Sequence, residues 1–379
     1  MEQRRFAVLD SWRGVCALLV MAYHLGLAGH FHGWPPVRFG QYGVQFFFVL
    51  SGFVIAHSSQ AKLAAGGDLG GFMLRRFGRI YPLHLTVLLA MLGLELLKLG
   101  VMLGTGLTGG QTPFTEKASV PAFIAGLLLL NGVGLFHDFT WNTPSWSIST
   151  EFYAYLLFAG AVVVAGRRYA VLAVAVVALT SAALIWNSLR PDPWSTIEGA
   201  GFLECVQQFF LGTLVYRAFR LRPPRTAWLE PIALALVLAV FFGLVPHLLT
   251  PWAFAAFVHV FAGERGVLSR AFRIAPLQWL GLVSYSIYLV HFPVITTVSS
   301  AFRVIQAKTG VEMFAVRHGD ALLLSAGGPW AMDALALGLI ALVLLISACT
   351  RRWIEVPADA WFRSAARRAP RAAPSAPAA

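Results

Sequence analysis

Three ionisable residues lie within one apolar stretch near the start of the chain. The stretch 9–29 reads LDSWRGVCALLVMAYHLGLAG and contains Asp10, Arg13 and His24. Arg13 and His24 are eleven residues apart, and eleven steps of about 100° come within roughly 20° of whole turns. Both side chains therefore share one helical face, with Asp10 on the same side. Because a charge inside a membrane helix costs at least ~2.5 kcal/mol, this face is expected to meet a protein interior or a polar cavity.

Two further apolar segments carry polar residues at helical spacing. In PSWSISTEFYAYLLF, Glu151 follows Ser147 by four residues, and in LGLVSYSIYLVHFPV, His291 follows Tyr288 by three. The direction expected for each helix places His24, Glu151 and His291 at similar depth. A structural interpretation stays open, since a buried histidine is often only a hydrogen-bonded core residue. Glu151 could likewise form an ion pair with Arg13.

A group of arginines precedes another apolar segment. Arg75, Arg76 and Arg79 lie in LRRFGRIYP, just before Pro82. Basic residues beside a membrane span commonly set topology. They also suit phosphate binding, because the guanidinium fork matches phosphate oxygens and a helix N-terminus adds a favourable dipole. Both interpretations predict that these arginines lie at the membrane surface.

The composition indicates an integral membrane protein. Of 379 residues, 58% are hydrophobic and 12% are charged, and the mean hydropathy is +0.70. The 29 basic and 17 acidic residues are better explained by loop charges that set topology than by nucleic-acid binding. The three cysteines are far apart in apolar runs and predict no disulfide. No set of residues has the spacing of metal ligands, so no metal site is expected.

Apolar runs and loop charges together predict an all-α polytopic bundle. If segment 119–136 enters the membrane without crossing it, as a re-entrant or interfacial helix, most basic loop residues fall on one side. The prediction is ten transmembrane helices plus that one helix, with both termini cytoplasmic. Residues 1–357 would form the membrane domain and 358–379 a disordered, basic, Ala/Pro-rich tail. The apolar segments are 7–29, 41–58, 80–101, 119–136, 146–165, 169–187, 201–217, 231–246, 250–263, 277–298 and 331–349.

Five of these motifs, in this order, resemble the acyltransferase-3 family of integral membrane O-acyltransferases. The likeness runs from about residue 6 to 357. It rests on an Arg, ten residues and a His at the start, and on FFFVLSGFVI, RRFGRIYP, PSWSISTEFYAYLLF and LGLVSYSIYLVHFPV. The resemblance implies a stand-alone member without a fused extracytoplasmic domain. It also implies transfer of an acyl group, with acetyl expected, from cytoplasmic acyl-CoA to a hydroxyl on the other side.

The resemblance also suggests a role for each candidate residue. His24 would be the general base or, in a variant mechanism, a transient acyl carrier. Glu151 would orient its imidazole, and Arg13, held by Asp10, would polarise the thioester carbonyl or stabilise the oxyanion. The remaining candidates divide into phosphate-binding residues, Arg75, Arg76 and Arg79, and acceptor-lining residues, Ser147, Tyr288 and His291.

A transporter or flippase is the alternative, because intramembrane His, Glu and Arg residues also mark substrate or proton paths. Paired broken helices in two similar halves, which would indicate a transporter, are not evident in the sequence. As an enzyme, the chain is expected in a bacterial inner membrane, in contact with lipids and acyl-CoA. Its acceptor would be a surface polysaccharide undergoing O-acetylation, a lipid-linked sugar or a small molecule with a hydroxyl, with no role for nucleic acid.

Overall fold

A computed structural model describes residues 5–106, 112–314, 316–318 and 321–368. The regular secondary structure of this part of the chain is helical apart from one short antiparallel hairpin, β1 Val316–His318 and β2 Ala321–Leu323. The all-α prediction is therefore confirmed for the described residues. Their helices of eight or more residues are α1 Ala7–His24, α2 Gly43–Ile55, α3 Leu69–Thr105, α4 Val120–Leu127, α5 Ser145–Ala165, α6 Tyr169–Ser188, α7 Gly201–Leu221, α8 Leu229–Phe241, α9 Thr250–Phe261, α10 Ala275–Thr309, α11 Pro329–Thr350 and α12 Val356–Arg368.

Several helices are long and apolar enough to cross a membrane. A hydrocarbon core of about 30 Å needs about 20 apolar residues. Helices α8 and α9 are apolar but shorter, with 13 and 12 residues, so the ten predicted crossings stay a prediction. By length and composition, five stretches qualify among the described residues: Gly40–Ala64, Leu69–Thr105, Ser145–Ser188, Ala275–Thr309 and Pro329–Arg368.

Helix α4 lies where the sequence predicts a segment that enters the membrane without crossing it. Its eight residues extend for about 12 Å, which is too short to span the bilayer. Two side chains of α3 bind its last carbonyls: His84 Nε2 lies 2.8 Å from the Gly126 oxygen, and the Tyr81 hydroxyl donates to the Leu127 carbonyl at 3.0 Å. Such bonds allow a helix to end at membrane depth, because no carbonyl is left without a donor.

Helices α1 and α10 pack side by side and run parallel. Near their starts, Gln278 Nε2 donates to the Ser11 hydroxyl at 2.6 Å. One turn further, a Cβ at Gly14 would lie 2.6 Å from the Leu280 carbonyl carbon, and a Cβ at Gly281 would clash with the Asp10 carbonyl oxygen. The two glycines therefore allow the backbones to touch, as small residues do in membrane helix pairs.

The two described ends of the chain lie at the same end of the bundle, here called the basic end. Arg5, just before α1, and Asp10, in its first turn, line a small cavity together with Asp359 and Arg363 of α12 and Arg351, which directly follows α11. The charged side chains around this cavity have both signs, and most of them are arginines. An even number of crossings would produce this arrangement, and the predicted topology has ten.

Part of the predicted disordered tail is helical, so the disorder expected from residue 358 is wrong for residues up to 368. Helix α12 follows α11 through a π-helical turn, Arg351–Glu355, and packs on α3. The Phe362 side chain occupies the space that a Cβ at Gly78 would need, and its ring lies 5.9 Å from that of Phe77. This aromatic contact holds the helix against the domain. Residues 369–379 lie outside the described residues.

Candidate active site

His24 and His291 lie side by side, in agreement with the similar depth predicted for them. His24 Nδ1 is 2.8 Å from the Val20 carbonyl oxygen and 3.3 Å from His291 Nε2, while His291 Nδ1 is 3.0 Å from the Ile287 carbonyl oxygen. A carbonyl oxygen only accepts, so this network assigns the proton to Nδ1 of each ring. His291 Nε2 then accepts from His24, and the lone pair of His24 Nε2 stays available to accept a proton.

Asp10 and Arg13 form an ion pair, but they are far from His24. Arg13 Nη1 lies 3.7 Å from Asp10 Oδ1, and Arg5 Nε binds the other carboxylate oxygen at 2.7 Å. Eleven residues of helix α1 rise by about 16 Å, which separates Arg13 from the imidazole along the axis. A shared face therefore does not bring the two side chains together. Arg13, held by Asp10, is therefore too far from His24 to polarise a carbonyl there, and the role predicted for it is corrected.

Glu151 does not contact His24. Its Oε1 accepts hydrogen bonds from the Ser51 hydroxyl at 2.5 Å and the Tyr155 hydroxyl at 2.6 Å. Glu151 is four residues from Ser147 in the direction of the basic end, whereas His291 is three residues from Tyr288 in the opposite direction. The helix rise over these two intervals places Glu151 about 10 Å nearer the basic end than the histidines. The predicted imidazole-orienting role of Glu151 is therefore corrected, because the hydrogen-bond partners of the His24 ring are the Val20 carbonyl and His291.

Glu151 is expected to stabilise this part of the bundle through its carboxylate oxygen. Glu151→Ala leaves two donors without their acceptor, at a cost of about 1–3 kcal/mol for each buried group. Glu151→Gln keeps an acceptor oxygen, so the free energy of unfolding should fall less. Thermal unfolding of both variants in detergent compares them. Equal losses of stability in the two variants would contradict this role.

Ser147 and Tyr288 are in direct contact, which connects α5 to α10. The Ser147 and Tyr288 hydroxyl oxygens lie 2.7 Å apart, and each hydroxyl is within hydrogen-bond distance of the Pro144 carbonyl oxygen, at 3.0 and 3.1 Å. The Tyr288 ring centroid is 6.1 Å from that of His291. This pair therefore lies next to the two histidines, on the side toward the basic end.

A large cavity extends from the basic end to the Ser147–Tyr288 pair. Its volume is 1710 Å³, and its inner wall includes Ser147, Glu151, Tyr155 and Tyr288. Among the described residues that line it, seven are basic and three are acidic. The excess of positive charge favours an anionic ligand. At the basic end the wall includes Lys62, Arg75, Arg76, Arg79, Arg363 and Arg367.

The three predicted phosphate-binding arginines line this cavity in different environments. They do not lie at a helix N-terminus, as predicted, because α3 begins at Leu69 and continues through Pro82. The helix dipole therefore gives them little help. Arg76 stacks over the Phe72 ring at 5.6 Å, and its buried Nε has no hydrogen-bond partner among the described residues.

Arg79 already has an anionic partner. Its Nη1 lies 3.0 Å from Oε2 of Glu355, a buried carboxylate whose other oxygen accepts from the Ser286 hydroxyl. The charge of Arg79 is therefore partly neutralised, and Arg75 and Arg76 are the more available cations of the three.

Sequence reasoning missed two residues of this site. Ser51, in FFFVLSGFVI, donates to Glu151, although that motif contributed only to the family resemblance. Glu355, which binds Arg79, is a single acid within the basic segment RRWIE. An acidic residue among cations at a predicted membrane surface is a signal that could have indicated this ion pair.

Comparisons with known proteins identify the family. The pattern of a family described as an acyltransferase domain, acyltransferase 3, matches residues 6–352, so the chain belongs to this family. "Acyltransferase MdmB" of Streptomyces mycarofaciens is 29% identical over 77% of this chain and 79% of its own. BcsY of Komagataeibacter xylinus, whose name includes the words membrane-bound transacylase, is 27% identical over 75% of this chain and 72% of its own.

A third relative covers a smaller part of the chain. "Protein 2 in picA locus" of Rhizobium radiobacter is 33% identical over 47% of this chain and 95% of its own. No solved structure matches this chain. Family membership and the long apolar helices together describe a membrane-bound acyltransferase.

Proposed function

We propose that this protein is an O-acyltransferase that moves an acyl group, with acetyl as the expected group, from cytoplasmic acyl-CoA to a hydroxyl on the opposite side of a bacterial inner membrane. The observation that carries the proposal is the position of the cavity. It has its arginines at one end, and at the other it ends at Tyr288, beside the His24–His291 pair. A donor with phosphates at one end and a thioester at the other suits such a cavity.

In the proposed reaction, His24 is the general base. Its Nε2 takes the proton of the acceptor hydroxyl while the hydroxyl oxygen attacks the thioester carbonyl carbon. The new carbon–oxygen bond forms, the carbon–sulfur bond breaks, and the proton passes from the imidazolium to the leaving thiolate. His291 is a positioning residue, because together with the Val20 carbonyl it holds His24 in the tautomer in which Nε2 is the base.

The remaining predicted site residues have supporting roles in this proposal. Arg75 and Arg76 bind donor phosphates, and Arg79 contributes together with its partner Glu355. Ser147 and Tyr288 line the place where thioester and acceptor meet. The acceptor is a glycan, a lipid-linked sugar or a small molecule, and the reaction needs no metal.

The proposed topology has ten crossings, with α4 re-entrant and the basic end in the cytoplasm. Parallel α1 and α10, and chain ends at one end of the bundle, are consistent with it. The donor cavity then opens toward the compartment that contains acyl-CoA.

Turnover of radiolabelled acetyl-CoA by the purified protein in nanodiscs, with a lipid and glycan extract as acceptor, tests the proposal. Label should enter the extract with the wild-type protein. With Arg75→Ala/Arg76→Ala the donor KM should rise by about tenfold or more, since each charge-assisted contact contributes about 1.5–3 kcal/mol. If well-folded protein neither binds nor turns over acyl-CoA, the proposed donor is wrong.

A further inference from the structure

Helix α12 contributes one of its faces to the cavity. Asp359, Arg363, Ala366 and Arg367 line it, and their spacing of four, seven and eight residues from the first is that of a single helical face. Phe362 packs on α3 at Gly78, which fixes the helix against the cavity. The family match ends at residue 352, so this wall lies beyond the matched region.

The charges on this face are only partly compensated. Arg363 Nη2 binds Asp359 Oδ2 at 2.7 Å, and both side chains keep access to solvent. Arg367 has no ion-pair partner among the described residues. Arg76 lines the same cavity as Arg363 of this face and Tyr155 of the inner wall. The cations of α3 and α12 therefore face one shared space.

We propose that α12 is a wall of the donor site, and that Arg363 and Arg367 bind the 3′-phosphate of coenzyme A. This inference rests on acyl-CoA being the donor. Coenzyme A carries its thioester at one end and its adenosine 3′-phosphate at the other. If the thioester reaches Tyr288, the adenosine end stays at the mouth, where the two α12 arginines lie. The oxygens of a phosphate monoester match the donor geometry of arginine forks.

The affinity of the full-length protein in nanodiscs for coenzyme A and for 3′-dephospho-coenzyme A tests this assignment. The wild-type protein should bind coenzyme A about tenfold or more tightly than the dephospho form. In Arg363→Gln/Arg367→Gln the ratio should fall to about one. Arg368→Gln is the matched control, because it removes a charge from the same helix at a position outside the cavity wall.

A lysine variant distinguishes loss of the phosphate contact from unfolding of helix α12. Arg363→Lys/Arg367→Lys keeps both charges and should restore part of the ratio. If the glutamine variant loses binding of both ligands, recovery of binding in the lysine variant supports the assignment, and no recovery overturns it. The assignment is also overturned if the glutamine variant keeps the wild-type ratio of the two affinities, or if that ratio is one in the wild-type protein. Absence of coenzyme A binding by the wild type would instead reject the proposed donor.

Discussion

Replacing His24 with alanine is expected to lower the rate of acyl transfer by about 10²- to 10⁴-fold, the usual contribution of a general base. Binding of acyl-CoA should stay at the wild-type level, because the described wall of the donor cavity does not include His24. Single-turnover transfer of radiolabel, measured beside donor affinity, separates the two effects. His291→Ala should cost less, since His24 Nδ1 keeps its bond to the Val20 carbonyl.

The control for this experiment is another histidine variant. His137 is exposed, and its Nδ1 lies 2.9 Å from Glu198 Oε1, away from the cavity, so His137→Ala should keep wild-type transfer. Full activity of His24→Ala at normal membrane levels would rule out His24 as the base.

Gly281→Ala is expected to separate α1 from α10. The added methyl group meets the Asp10 carbonyl oxygen, and neither backbone can move without disturbing the other contacts of this pair. Overpacking of this kind costs about 1–3 kcal/mol. Acyl transfer should fall as well, because the contact between His24 and His291 depends on the same helix pair. Thermal unfolding and transfer rate, measured on the same preparation, test both effects.

Gly338→Ala provides the comparison. A Cβ at Gly338, in the middle of α11, meets no atom within 4 Å, so alanine should leave activity unchanged and stabilise the helix by up to about 1 kcal/mol. Wild-type stability and activity in Gly281→Ala would show that the α1–α10 contact tolerates more separation than the structure indicates.

Hydropathy predicts several helices closely and misses the polar extension of another. The predicted segments 146–165 and 169–187 correspond to Ser145–Ala165 and Tyr169–Ser188. By contrast, the predicted 80–101 is only the apolar part of Leu69–Thr105, because its first turns carry Arg75, Arg76 and Arg79. Helix α12 was missed for a related reason. Its Ala and Arg residues favour a helix, but its order depends on Phe362 packing at Gly78, which composition does not reveal.

The sequence predicts which residues share a helical face better than which residues meet. Periodicity correctly suggests a common face for Ser147 and Glu151, and for Tyr288 and His291. The rise along α1 separates Arg13 from His24, and differences in depth between helices separate Glu151 from His24. Contacts such as His24 with His291 depend on the register of two packed helices, and one sequence alone does not fix that register.

The parallel pairing of α1 with α10 has a consequence for biosynthesis. His24 and His291 are 267 residues apart, and translation at about 5–20 residues per second takes roughly 13–53 s to cover that interval. During this time α1 has no α10 to pack against, although both residues of its Asp10–Arg13 pair have already been made. The histidine pair can form only after α10 has been made, so nascent chains that stop before α10 contain the first histidine but no assembled centre.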